Sequence, residues 1–153
     1  MRTSFLVLAT AAATLFGSTT ALPTEKRNFG TAGFISSPPD SATPDGAAVY
    51  KPGSVLPFKF EKGATNAGGV TTYTTEYLKV ILSATDADGS HTNHTLANYL
   101  TSANTSSTIA ADFHVPNFPK LSPAYHQDVN GRVIVEETSL GGYVSEHVSR
   151  FEL

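Results

Sequence analysis

The chain has 153 residues, 40% of them hydrophobic and 15% charged. That length makes one ordinary domain without room for two independent cores, and the charged fraction falls below the roughly 25% usual in soluble domains. The net charge is −3 and there is no Cys. This excludes a basic surface for nucleic acid, a disulfide scaffold, a thiol nucleophile, Cys-ligated zinc, an Fe–S cluster and a type-1 copper site.

The first residues read as an address. Met1-Arg2 is a short positive start, Phe5 to Phe16 is apolar, and Gly17 to Ala21 is small and polar. This is the layout of a secretory signal peptide, with Ala21 before the cut. The apolar run is too short to span a bilayer. Leu22-Pro23-Thr24-Glu25-Lys26-Arg27 follows, and Lys26-Arg27 is like the dibasic processing sites of fungal secretory pathways. The mature chain then begins at Leu22, or at Asn28 if the dibasic site is cut. The expected organisation is a signal peptide over 1–21, a leader over 22–27 and one domain over 28–153. No apolar tail surrounds Arg150-Phe151-Glu152-Leu153, so no membrane anchor is expected. Asn93-His94-Thr95 and Asn104-Thr105-Ser106 are glycosylation sequons at Asn93 and Asn104, in keeping with a secreted, extracellular protein.

In the mature chain, Phe34-Ile35 predicts a short strand that ends, or lies at an edge, where Pro38-Pro39 removes two donors. Lys51-Pro52-Gly53 predicts a turn. Leu56, Phe58 and Phe60 alternate with Pro57, Lys59 and Glu61, the period of a half-buried strand. Val70 to Ala84 predicts the longest strand, with Leu78, Val80 and Leu82 on one face and Tyr77, Lys79, Ile81 and Ser83 on the other. Asp86-Ala87-Asp88-Gly89 predicts a tight turn. His91 to Asn104 reads as a polar loop with a brief helical turn at Leu96 to Leu100. Ile109, Ala111, Phe113 and Val115 alternate into a strand closed by Pro116, and Pro116, Pro119 and Pro123 make the next segment extended or looped. Asn130-Gly131 is a hairpin signal, Val133 to Thr138 a strand, Gly141-Gly142 a turn, and Val144 to Leu153 the last strand. No helical period appears. About seven short strands predict an all-β, immunoglobulin-like or fibronectin-like β-sandwich.

Tyr50-Lys51-Pro52-Gly53 before Leu56-Pro57-Phe58-Lys59-Phe60, and Gly131 to Thr138 followed by Gly141-Gly142-Tyr143, resemble the opening and closing segments of small secreted fungal sandwich proteins. The chain is similar in this to the fungal necrosis-inducing secreted protein family, small effectors of plant colonisation. It is similar, more distantly, to the sandwich domain of yeast-type cell-wall β-glucan assembly proteins. The resemblance spans roughly residues 48 to 153 and carries over no catalytic residue. The effector family implies a non-enzymatic protein that binds host immune receptors or kinases.

The candidate chemistry is thin. His91 and His94 stand near Asp86 and Asp88, but a metal site needs donors that converge, and the acidic pair lacks the further ligands of a calcium loop. His114, His126 and Asp128 would suit a base and its orienter. However, no Gly-x-Ser-x-Gly nucleophile motif is present, and His114 alternates outward between Phe113 and Val115. Glu136 and Glu137 are adjacent, so on a strand they face opposite sides and cannot form a glycosidase pair; either would need a distant acid such as Asp112 or Glu146. Tyr73, Tyr77, Tyr99, Tyr125 and Tyr143 offer aromatic faces for sugar stacking, against the plainer reading of strand aromatics. A mature start at Leu22 or Asn28 excludes copper oxygenases that use an N-terminal His.

No catalytic residue, metal or cofactor is therefore assigned. The leading expectation is a secreted, non-enzymatic binding scaffold acting on a host or cell-surface protein, with function in its loops and edges. The second is a cell-wall protein contacting glucan or chitin. Pro38-Pro39 and the charges at the strand edges argue for a monomer.

Overall fold

The computed structural model describes residues 31–124 and 129–153. Ala21, Lys26 and Arg27 lie outside these described residues, as do Tyr125, His126 and Asp128. Among the described residues there is no helix. Nine strands follow in chain order: β1 Phe34–Ser37, β2 Val55–Glu61, β3 Ala64–Ala67, β4 Val70–Tyr73, β5 Thr75–Thr85, β6 His91–Leu100, β7 Thr108–His114, β8 Gly131–Ser139 and β9 Tyr143–Phe151. They form a three-stranded sheet ordered β1-β2-β7, a four-stranded sheet ordered β6-β5-β8-β9, and a separate β3-β4 hairpin. All the strand pairs are antiparallel. This is the all-β sandwich expected from the sequence, with seven strands in its two sheets and two more in the hairpin.

The core lies between the sheets. Leu56, Phe58 and Phe60 from β2 and Ile109 from β7 meet Leu78, Val80 and Leu82 from β5, Val133 and Val135 from β8, and Phe151 from β9. Each set follows the period of two that the strand backbone imposes. Tyr50 stands edge-on to Phe151, with ring centroids 5.2 Å apart.

Three expectations are corrected. His91 to Leu100 is neither loop nor helical turn but the edge strand β6, pairing with β5 from Thr85↔His91 to Leu78↔Leu100. Its Thr- and Asn-rich sequence hides the strand because an edge strand with a solvent-facing side needs little apolar content. The span Val70 to Ala84 is two strands, because the chain passes from the hairpin into the sheet at Thr74. Asn130-Gly131 makes no hairpin: it follows the long connection from β7, which lies in the other sheet. Asn130 is buried instead. Its amide donates to the Ser122 carbonyl at 2.7 Å and its Oδ1 accepts from the Leu153 N–H at 2.8 Å, which ties the chain end to the start of β8.

Segments outside the strands cover one sheet edge. The Glu152 N–H donates to the Ala48 carbonyl and the Tyr50 N–H to the Glu152 carbonyl. The Asp40 carboxylate accepts from the Arg150 N–H at 2.7 Å and from its guanidinium. Residues 40–50 thus use hydrogen-bonding groups at the end of β9 that would otherwise be open to another chain.

Leu82 is fully buried, so Leu82→Ala is expected to cost about 2–5 kcal/mol in urea unfolding. A loss under about 1 kcal/mol would place it outside a close-packed core.

Candidate binding surface

Alternation puts Glu137 in phase with Val133 and Val135, facing inward, and its side chain is only 1% exposed. A buried carboxylate needs donors. Thr75 donates its hydroxyl to Oε1, the Gly33 N–H donates to Oε2 at 3.2 Å, and His147 Nε2 lies 2.9 Å from the same oxygen. The Thr75 hydroxyl in turn accepts from the Gly63 N–H at 2.9 Å. Gly33 precedes β1 and Gly63 follows β2, whereas Thr75, Glu137 and His147 belong to the four-stranded sheet. The network therefore bridges the two sheets. Both glycines are required by close approach: a Cβ on Gly33 would stand 2.3 Å from the Phe60 ring, and one on Gly63 2.4 Å from the Thr31 carbonyl. Burial raises the Glu137 pKa, but hydrogen bonds from His147, Thr75 and Gly33 outweigh it and hold the carboxyl below the ordinary glutamate value.

The network also sets the phase of β5. Thr75 and Leu78 both point inward, with Glu76 and Tyr77 between them. The pairing with β8 shifts between Thr75 and Tyr77, a bulge that lets Thr75 face inward as well as Leu78, while Tyr77 keeps the outer face that alternation from Leu78 gives it. Opposite it, the pairing with β6 shifts twice: Leu78 pairs with Leu100, Val80 with Ala97 and Ile81 with Thr95, so Asn98 and Tyr99 together face Lys79. Tyr99 emerges 76% exposed against Tyr77, with ring centroids 5.1 Å apart and planes at 55°.

Two open grooves flank Tyr77. One, of about 430 Å³, is lined by Tyr77, Tyr99, Asn98, Thr138, Val144 and the Lys79–Glu136 ion pair, in which Nζ stands 2.9 Å from Oε1. The other, of about 480 Å³, is lined by Tyr73, Tyr77, Thr71, Glu76, Asn104 and Leu140. The apolar side chains on this rim are open to solvent, Val144 at 65% and Leu140 at 52%.

The remaining sequence candidates disperse. His91 is exposed, with Nε2 2.6 Å from Arg132 Nη2, in a separate pocket of about 380 Å³ that Arg150 also lines. His94 packs edge-on against Phe118. Asp86 accepts from Thr92 at 2.6 Å and Asp88 from Ser90 at 2.6 Å, so these oxygens serve the β5–β6 turn. His114 is exposed on β7. Glu136 pairs in register with Glu146 but is held by Lys79, while Glu137 faces His147. Among the described residues no group of three or more His, Asp or Glu is placed to hold a metal. Asn93 is exposed within β6, and Asn104 is exposed at a turn between β6 and β7.

No protein-family model matches the chain, and neither a curated protein nor a solved structure is found similar to it.

Because the folded-state pKa of Glu137 is depressed, its contribution to stability is fully present above the unfolded value of about 4.3 and is lost as pH falls through the folded pKa. Glu137→Gln keeps the volume and removes the charge. It should cost about 1–3 kcal/mol at pH 7 and flatten the acid limb of the stability–pH curve, followed by urea unfolding at a series of pH values. An unchanged acid limb would contradict the assignment.

Proposed function

We propose that the chain is a secreted, non-catalytic binding scaffold that meets a host or other cell-surface protein with the outer face of its four-stranded sheet, around Tyr77 and Tyr99. The observation that carries this reading is the exposed tyrosine pair. Alternation from Leu78 turns Tyr77 outward, and the irregular pairing of β6 sets Tyr99, 76% exposed, against it. Tyr is the residue type of interface hot spots, because it offers a large rigid area and one polar tip. The neighbouring Val144, which lines the Tyr99 groove, favours a protein partner, since an exposed aliphatic suits a protein contact. The ring arrangement favours it too: at 55° the two rings lean on each other and do not present parallel faces to successive sugars. Glu136, the carboxylate of this groove, is engaged by Lys79, and Glu137 is buried, which supports a non-catalytic role.

A second reading has one observation in its favour. Asn98, Thr138 and Glu136 place hydrogen-bonding groups beside the exposed Tyr99 ring, which suits wall glucan or chitin.

The test places a photo-crosslinking phenylalanine analogue at position 99 of the secreted protein, irradiated on host cells and on cell walls. A protein adduct is expected. Tyr99→Ala should weaken binding of the cross-linked partner at least tenfold, about 1.4 kcal/mol. Retention on insoluble wall material, released by glucanase, would replace the protein reading with the polysaccharide one.

A further inference from the structure

We propose that Asn104 carries an N-linked glycan whose first N-acetylglucosamine packs into the groove formed by Tyr73, Tyr77 and Leu140. That glycan confines the partner surface to the Tyr99 side of Tyr77. The inference rests on the reading of the chain as secreted, since a sequon acquires its glycan in the secretory pathway.

The turn that bears Asn104 is built to a fixed position. The Ser106 N–H donates to the Ala103 carbonyl at 2.9 Å, which makes Asn104 and Thr105 the two central residues of a β-turn. The Ser106 hydroxyl then donates to the Thr108 carbonyl at 2.8 Å. Lys62 holds the turn from below. It is buried, its ammonium donates to the Ala103 carbonyl at 3.0 Å, and the same ammonium stands 5.7 Å from the centre of the Tyr73 ring. One cation thus sets the turn and the β3-β4 hairpin against each other. Asn104 is exposed at the crest, where a transferase can reach it, and its side chain lines the groove shared with Tyr73, Tyr77 and Leu140.

The chemistry of the groove suits the first sugar. The acetyl methyl and the apolar face of the ring would lie on Tyr73, Tyr77 and the half-exposed Leu140. The hydroxyls and the acetamide would meet Thr71, Thr72 and Glu76, which also line the groove. Asn93, the other sequon residue, sits within β6 and lines neither tyrosine groove.

The experiment uses the full chain secreted by a eukaryotic host. Peptide mass mapping should find Asn104 occupied. After trimming to a single N-acetylglucosamine, nuclear Overhauser contacts should connect the acetyl methyl to the Tyr73 and Tyr77 ring protons. Tyr73→Ala should lose these contacts while keeping the glycan, and Asn104→Gln should increase binding of an apolar fluorescent dye. An unmodified Asn104 in the secreted protein, or an occupied one whose sugar shows no ring contacts, would overturn the proposal. The two readings fail separately. A position-99 protein adduct with Asn104 unmodified defeats the glycan alone, and ring contacts without any adduct defeat the partner alone.

Discussion

The structure depends on one buried carboxylate. Glu137 sits where Val133 and Val135 would otherwise continue the apolar face of β8, and a charge there is tolerated only with donors on every side. Those donors come from both sheets: the Gly33 N–H from the three-stranded side, and Thr75 and His147 from the four-stranded side. In a chain without Cys, this polar clamp links the sheets at one end while aliphatic packing links them along the rest. Directed hydrogen bonds also specify geometry in a way that non-directional apolar contact does not. They demand backbone approach so close that Gly33 and Gly63 have no space for a side chain.

The inward packing also shapes the outer face. Thr75 is held inward by Glu137, and Leu78 is held inward by the core. With two residues between them strict alternation cannot hold, so the strand bulges, and Tyr77, next to Leu78, faces outward. The irregular pairing of β6 brings Tyr99 beside it. β6 is an edge strand, free on one side, and so can absorb the extra residues with little loss of pairing. The aromatic pair is therefore displayed by the same packing that closes the sandwich, on a surface that the core keeps rigid.

Much of the sandwich was legible because its central strands are simple. Leu56, Phe58 and Phe60, Leu78, Val80 and Leu82, and Ile109 alternate cleanly, and burial follows that alternation. β6 was hidden because an edge strand has one neighbour and one wet face, and His91 to Leu100 needs few apolar residues to stay in place. Asn130-Gly131 misled because the residue pair favours a turn locally, while here the buried Asn130 side chain caps the chain end. The separation of Glu136 from Glu137 was legible, since adjacent strand residues face opposite ways. The inward destination of Glu137 was also written in its phase with Val133 and Val135, but its partners come from residues 104 positions before it and 10 after, which no local pattern connects. The outward face of Tyr77 was legible from its alternation with Leu78, but its pairing with Tyr99 was not, because the irregular pairing of β6 decides where Tyr99 lies.

The most direct test of this account is a titration of the Glu137 side-chain carboxyl by carbon-detected NMR, with the Gly33 amide followed in the same samples. The account predicts that Glu137 titrates below the ordinary glutamate value and that the Gly33 amide shifts with it, as loss of the charge releases the donor. A Glu137 that titrates at or above the ordinary value, with Gly33 unmoved, would show that the buried carboxylate does not hold the two sheets together.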